Sequence, residues 1–95
     1  MRVVAVTPTA KFAKDFRSAA PDIQAAAKDV LDDLLQDPQP ASLRLHTLKK
    51  FGKPTIYSID VLTNHAWKIT FELDGTTAKL LRLGTHKQID RSPRG

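Results

Sequence analysis

The stretch Trp67-Lys68-Ile69-Thr70-Phe71-Glu72-Leu73 decides the fold class, because its side chains alternate between apolar and polar. Neighbouring side chains of a β-strand point to opposite faces, so this pattern predicts a strand with one face towards a core. The pair Asp74-Gly75 that follows favours a tight hairpin turn. The apolar stretch from Thr77 to Leu83 then predicts a returning strand that is buried on both faces.

The expected register of this hairpin follows from counting back from a tight turn. Leu73 then faces Thr76 and Trp67 faces Arg82, where ring and guanidinium could stack by cation-π attraction. Lys68 is expected to project from the opposite, polar face of the sheet. If helices cover only the apolar face, the polar face is partly free and a site could form there.

Two helices are predicted before the hairpin. Thr9 is a suitable N-cap for a helix from Ala10 to Ser18, and Pro21 suits the first turn of a second helix. The second helix is expected to end at Asp37-Pro38-Gln39-Pro40. Its apolar residues recur with helical spacing and predict a buried stripe: Ile23, Ala27, Val30, Leu31, Leu34 and Leu35.

The order of elements predicts an α+β fold, β-α-α-β-β-β, in which two N-terminal helices pack on one face of a twisted, mostly antiparallel sheet. The first strand is expected at Val3-Val4-Ala5-Val6, and another at Ile56 to Val61. We predict one domain over residues 1–95, with the strand and helical hairpin in 1–39, the sheet in 40–90 and a flexible tail in 91–95.

Length and composition limit the kinds of protein that this sequence can encode. The 95 residues suffice for one core, and the absence of cysteine excludes disulfides and thiolate metal sites. The apolar run at the N-terminus is too short for a signal peptide, and no stretch approaches the length of a membrane span. We therefore expect a cytoplasmic protein with no membrane association, no metal and no cofactor.

The positive charge is concentrated in the second half of the chain. Residues 1–39 carry five Lys or Arg against six Asp, whereas residues 40–95 carry ten Lys or Arg against four Asp or Glu. A field of this kind attracts polyanions and acidic proteins through long-range attraction and counterion release. A basic but merely solvated surface is the alternative.

Several segments of the sequence follow one another in an order and spacing that together are fairly specific. They are Phe16-Arg17 with Pro21 and Ile23-Gln24, Leu34-Leu35-Gln36-Asp37-Pro38, Leu45-His46-Thr47-Leu48-Lys49, Ile56-Tyr57-Ser58-Ile59, Trp67-Lys68-Ile69-Thr70-Phe71 and Leu83-Gly84-Thr85-His86. In this order and spacing the sequence resembles the RelE/ParE toxin superfamily of type II toxin-antitoxin systems along nearly its whole length. The second half is most similar to the branch of YoeB- and YafQ-like toxins.

This resemblance implies a ribosome-dependent messenger RNA endonuclease (mRNA interferase) that blocks translation by acid/base cleavage without a metal. A base must take the proton of a ribose 2′-hydroxyl, cations must stabilise the phosphate, and an acid must protonate the leaving oxygen. The Gly-Thr-His segment makes His86 the leading catalytic candidate, and His46 resembles a histidine of YafQ-like members. Lys68 and Arg82 are the candidate phosphate-binding cations.

Four further residues are candidates for RNA binding. Lys49, Lys50 and Lys53 form a basic loop suited to a ribosomal RNA backbone, and Trp67 could stack a base. A solvated loop and a core tryptophan are the simpler interpretations of the same residues. His65 is interpreted as a turn residue.

Two departures from the family pattern keep other functions open. His86 is followed by Lys87-Gln88-Ile89 without the aromatic residue of many cleaving relatives, and Lys68 stands where many of them have arginine. A ParE-like inhibitor of DNA gyrase without nuclease activity is one alternative. A non-toxic domain that binds only RNA or an antitoxin is another.

The resemblance also implies partners. Beside the ribosome and mRNA, we expect a cognate antitoxin, an acidic and partly disordered chain that suits a basic domain. From the distribution of charge, this antitoxin is expected to bind the second half of the chain.

Overall fold

The computed structural model describes residues 1–62 and 66–95. The chain forms the predicted α+β fold, with two N-terminal helices, a five-stranded sheet and a short C-terminal helix. The strands are β1 (Ala5–Pro8), β2 (His46–Thr47), β3 (Tyr57–Asp60), β4 (Trp67–Asp74) and β5 (Thr77–Thr85), and the helices are α1 (Ala10–Ser18), α2 (Pro21–Leu34) and α3 (His86–Arg91).

The sheet is mixed, with the strand order β1-β5-β4-β3-β2. β1 runs parallel to β5, and the other neighbours are antiparallel. The sequence did not predict β2 or α3, because two strand residues and six helical residues are too few to show a period. β1 also begins two residues later than predicted and includes Pro8, which an edge strand tolerates.

Both N-terminal helices begin where the sequence predicts. The Thr9 hydroxyl accepts a hydrogen bond from the Phe12 amide at 3.2 Å and caps α1. Pro21 opens α2, where its missing N–H costs no helical hydrogen bond. The helices bury their apolar faces against the sheet, in a core that includes Phe12, Ile23, Ala27, Leu34, Ile59, Ile69, Phe71, Leu80 and Leu83.

The hairpin between β4 and β5 is present, but the predicted register is wrong. Asp74 pairs with Thr77, so the two loop residues are Gly75 and Thr76, and the positive φ of the turn falls on Gly75 at 63°. Leu73 consequently faces Ala78.

A register shift between Thr70 and Phe71 moves the strands further from the expected pairing. Trp67 therefore faces Thr85 instead of Arg82. The predicted stacking of Trp67 on Arg82 is not found in the described residues.

The polar face of the sheet is covered, contrary to expectation. α3 packs there through Ile89, which is fully buried, and Pro93 is buried behind it. The Thr70 hydroxyl donates to the Pro93 carbonyl at 2.7 Å. Arg94 donates to Glu72 and to the Pro54 carbonyl. Residues 91–95 are thus held against the sheet instead of forming the expected free tail.

In the described ranges, no helix combines the length and apolar character needed to cross a membrane.

Candidate functional site

Lys68 lies on the polar face of β4 as predicted, but it is buried. Its side chain is 9% exposed, and Nζ is 2.5 Å from Oδ1 of Asp60, which lies opposite on β3. Oδ2 of Asp60 also lies 3.3 Å from Nε of the exposed Arg44. A buried ammonium requires such a partner. In this conformation the charge of Lys68 is neutralised by the Asp60 carboxylate.

Arg82 is likewise engaged in an ion pair. Its guanidinium contacts both carboxylate oxygens of Asp15 on α1, at 3.1 and 3.3 Å, and donates to the Ser92 carbonyl at 3.2 Å. Asp15 also accepts the Leu83 amide at 3.1 Å. β1 pairs with β5 only as far as Leu80, so Asp15 satisfies a backbone amide on the edge that β1 leaves open.

His86 is the first residue of α3, directly after β5. The helix begins with a capping box, because the Thr85 hydroxyl accepts the Gln88 amide and the Gln88 side chain accepts the Thr85 amide. His86 is 60% exposed, and its Nε2 lies 2.9 Å from Oδ2 of Asp90, four residues later. The structure therefore presents a histidine-carboxylate pair to solvent at the end of the central hairpin.

Gly84 explains the close approach of α3 to the sheet. A Cβ at this position would lie 3.0 Å from Oε1 and 3.3 Å from Cβ of Gln88, and 3.6 Å from Cδ1 of Ile89. Any larger residue would force Gln88 to shift by a few tenths of an ångström. The glycine of the Gly-Thr-His segment thus has a packing role, and it sets the position of His86.

α3 also carries two cations, Lys87 and Arg91. Each follows one residue of the His86–Asp90 pair in the chain, so its side chain leaves the helix about 100° further round the axis. With Arg82, Gln88 and Ser92 they line a cavity of about 330 Å³, and we name this surface the α3 groove. His86 and Asp90 are not part of its lining. One short helix thus carries an exposed proton-transfer group and, further round its axis, the kind of positive charge that a phosphodiester substrate requires.

His46 is not part of this group. It lies in β2 at the far edge of the sheet, where Nδ1 is 2.7 Å from the Arg44 carbonyl. β2 is three strand spacings from β5, about 14 Å. The two candidate histidines are therefore not brought together as an acid and base pair.

The basic loop forms a separate surface. Lys49 and Lys53 line a cavity of about 430 Å³ with Tyr57, while the Lys50 ammonium lies 5.1 Å from the centre of the Phe51 ring. This loop precedes β3, at the sheet end opposite α3.

Trp67 stands at the other end, half-buried against the core. Phe71, the partner of Tyr57, is four positions further along β4, a length of about 13 Å. The four predicted RNA-binding residues thus do not form one patch. His65 lies outside the described residues.

Three carboxylates next to the candidate residues were not predicted from the sequence: Asp15, Asp60 and Asp90. Asp15 is paired with a residue 67 positions away, and Asp60 with a residue on the neighbouring strand, so neither pairing follows from a pattern within one helix or strand. Asp90 could have been found, since Thr85 and Gln88 have the spacing of a capping box and a helix from His86 places Asp90 one turn on. Among the described residues, no group of three or more His, Asp or Glu side chains could hold a metal ion.

Comparison with known proteins identifies the fold. The sequence matches no protein-family model and no curated protein sequence. Among solved structures, the RelE toxin in the RelB-RelE antitoxin-toxin complex of Methanococcus jannaschii is similar with a TM-score of 0.62 and 24% identity, over 88% of this chain and 94% of that chain.

Two Helicobacter pylori structures are similar to the same extent. A copper-bound point mutant of a toxin gives a TM-score of 0.61 at 18% identity, over 92% of this chain and 99% of that chain. A conserved hypothetical protein in solution gives 0.63 at 21%, over 90% and 97%. The chain therefore has the RelE-like toxin fold that its residue pattern predicts. The closer similarity to YoeB- and YafQ-like toxins stays a prediction.

Proposed function

We propose that this chain is the toxin of a type II toxin-antitoxin system and that it cleaves messenger RNA on the ribosome. The observation that carries the proposal is the exposed His86–Asp90 pair on the same short helix as Lys87 and Arg91 of the α3 groove, on a RelE-like fold. This role places the protein in the cytoplasm.

In the proposed reaction, the ribose 2′-oxygen forms a bond to the adjacent phosphorus and the bond from phosphorus to the 5′-oxygen breaks. A proton leaves the 2′-hydroxyl and another reaches the 5′-oxygen. His86 makes one of these transfers, and Asp90 orients its ring through the contact at Nε2. Lys87 and Arg91 stabilise the charge on the phosphate.

The other predicted site residues take no direct part in the proton transfers of this proposal. Arg82 lies in the α3 groove but shares its charge with Asp15. Lys68 reaches RNA only if the C-terminal segment moves away from the sheet. Lys49, Lys50 and Lys53 contact ribosomal RNA, and Trp67 stacks a base only where its half-buried ring is accessible. His46 has no part in this proposal.

The partner in this proposal is an antitoxin, as in the RelB-RelE complex of the structural neighbour. An acidic chain suits the net charge of +5.

The test is in vitro translation of a reporter message with purified protein, with 5′ ends mapped by primer extension. We expect cuts that require ribosomes and that decrease about 100-fold or more in His86→Gln. Asp90→Asn is expected to retain part of the activity. His46→Gln is the matched control, because it removes the other described histidine, also exposed, at the far edge of the sheet.

The outcomes separate the assignments. Equal loss in both histidine variants, or loss in His46→Gln alone, would withdraw His86 as the catalytic residue. An intact message and unaffected translation would reject the nuclease.

Inhibition of DNA gyrase is the second candidate, favoured by one observation. Lys68 and Arg82, two of the predicted phosphate-binding cations, are neutralised by Asp60 and Asp15. A toxin that only binds its target needs no such cations. A supercoiling assay with purified gyrase decides it: inhibition that His86→Gln leaves unchanged would support this candidate.

A further inference from the structure

Residues 92–95 follow α3 and lie across the polar face of the sheet, and we name them the strap. The Ser92 carbonyl accepts a hydrogen bond from Nη1 of Arg82 on β5 at 3.2 Å. The Pro93 carbonyl accepts one from the Thr70 hydroxyl on β4 at 2.7 Å. Two successive backbone carbonyls of the strap therefore occupy side-chain donors of two neighbouring strands.

Arg94 holds the strap to the sheet beyond these two bonds. Its guanidinium donates to Oε2 of Glu72 at 3.2 Å and to the Pro54 carbonyl at 2.6 Å. Within the strap only Pro93 is buried, whereas Arg94 and Gly95 are exposed. A segment with one buried ring and a few hydrogen bonds gains little more than the conformational entropy that its ordering costs. The strap can therefore open while the sheet stays folded.

The donors beneath the strap belong to a row that crosses three strands. Ser58 pairs with Thr70, and Thr70 pairs with Arg82, so the three side chains share one face over about 10 Å. Ser58 and Thr70 are fully buried, and the Arg82 side chain is 13% exposed. The Ser58 hydroxyl has no hydrogen-bond partner among the described residues. The strap thus leaves one buried donor of the row unsatisfied, which a ligand with more acceptor oxygens would correct.

The chemistry of the row suits phosphate oxygens. Arg82 binds Asp15 through Nε and Nη2, so its Nη1 can serve another acceptor without loss of that ion pair. A phosphodiester offers two non-bridging oxygens that carry a negative charge, and hydrogen bonds to such oxygens are stronger than those to a carbonyl. The strap carbonyls therefore stand in for the oxygens of a polynucleotide backbone.

We propose that the strap is an autoinhibitory segment, which covers the row of Ser58, Thr70 and Arg82 until an RNA backbone displaces it. Arg82 and Ser92 also line the α3 groove, so the strap borders the proposed active site. The inference rests on the proposed function for the identity of the ligand as RNA. If about one molecule in ten is open, the closed strap lowers the apparent affinity for RNA about tenfold.

The test measures binding of a short fluorescein-labelled 2′-O-methyl RNA by fluorescence anisotropy, because a blocked 2′-hydroxyl prevents cleavage. Arg94→Ala releases the strap in the full chain. It also removes a positive charge, so electrostatic attraction alone predicts weaker binding. We expect the opposite, an affinity about tenfold higher than that of the wild type. Arg17→Ala is the control, because it removes another exposed arginine, on α1, and should weaken binding less than about twofold.

A second pair of variants tests the row itself. Arg94→Ala/Thr70→Val lacks a hydroxyl of the row and should lose most of the gain in affinity. Arg94→Ala/Thr7→Val lacks an exposed hydroxyl of β1 and should keep it. The heteronuclear NOE of the Arg94 and Gly95 amides reports the strap directly. It should be high in the free wild type and fall when the RNA probe is bound, because a displaced segment moves on the nanosecond timescale.

Unchanged or weaker binding by Arg94→Ala, or no binding of the probe to either form, would overturn the proposal. Strap amides that stay rigid in the RNA complex would overturn it as well, and so would equal affinities of the two double variants.

These results are independent of the translation assay. A chain that never cuts mRNA but binds RNA more tightly as Arg94→Ala would retain the covered RNA site and lose the nuclease function. A chain that cuts mRNA but gains no affinity as Arg94→Ala would lose only the autoinhibitory strap.

Discussion

The central strands β3 and β4 have two faces that are closed in different ways. Towards α1 and α2, Ile59, Ile69 and Phe71 are all fully buried among apolar side chains. Towards α3, the buried side chains Ser58, Asp60, Lys68 and Thr70 are all polar. The same strands thus build an apolar core on one side and a covered polar layer on the other.

The two faces are stabilised by different kinds of interaction. Apolar side chains on the first face need only a partner of suitable volume. Polar groups on the second face lose water when they are covered and need specific partners in return. Lys68 finds Asp60, and Thr70 finds the Pro93 carbonyl, whereas the buried Ser58 hydroxyl has no partner among the described residues. Among the described residues, the α3 face is therefore the one that contains a buried polar group without a hydrogen-bond partner.

The largest expected effect comes from the apolar face. Phe71→Ala removes a fully buried ring that stacks on Tyr57 at 5.4 Å between centroids. We expect a loss of about 3–5 kcal/mol in the free energy of unfolding, measured by urea denaturation. Val4→Ala is the control, because Val4 is 54% exposed and its truncation should change stability by less than about 0.5 kcal/mol. Similar losses in both variants would contradict the assignment of the core.

The apolar face is also the part that could be predicted from the sequence. The alternation around Ile69 and Phe71, the helical spacing from Ile23 to Leu34 and the Thr9 cap are local patterns, and the structure confirms them. The hairpin register was predicted wrongly, because the turn falls one residue later and a bulge follows. A local count cannot detect a bulge.

The next prediction concerns the ion pair between Asp60 and Lys68 on the polar face. Asp60→Leu leaves the Lys68 ammonium buried without its carboxylate, and we expect a loss of about 3 kcal/mol. The double variant Asp60→Leu/Lys68→Met should recover most of this loss, since an apolar pair of similar volume needs no ionic partner. Urea denaturation of the four corners of the cycle measures the coupling. Additive losses in the double variant would show that the two side chains do not depend on each other.

The candidate site was less predictable than the core for the same physical reason. Each of its ions is held by a residue of another element: Lys68 by Asp60 on the neighbouring strand, and Arg82 by Asp15 on α1, 67 positions away in the chain. Residue type and position in the sequence were enough to predict Lys68 and Arg82 as candidate phosphate-binding cations. They could not show that both charges are already compensated, because that depends on which elements the fold brings together.

A smaller effect is expected where α1 meets the open edge of β5. Asp15→Ala removes the acceptor of the Leu83 amide and the partner of Arg82, and we expect a loss of about 2 kcal/mol. Asp29→Ala, at an exposed position of α2, is the control. Hydrogen exchange of the Leu83 amide provides a local measurement. In Asp15→Ala the exchange rate of this amide should rise by more than the loss of global stability alone would cause. An unchanged local rate would mean that this amide has another acceptor.

The smallest expected effect on stability concerns the cap of α3. Thr85→Ala removes the hydroxyl that accepts the Gln88 amide, and we expect a loss of about 1 kcal/mol. Thr9→Ala is the matched control, because it removes the equivalent cap of α1. The two variants should be destabilised to a similar degree, yet only Thr85→Ala loosens the helix that holds His86 against Asp90. If the α3 groove is the active site, Thr85→Ala reduces the rate of mRNA cleavage more than Thr9→Ala does. Equal cleavage rates at equal stability would show that the order of α3 does not matter for the reaction, and would direct attention to the polar face beneath it.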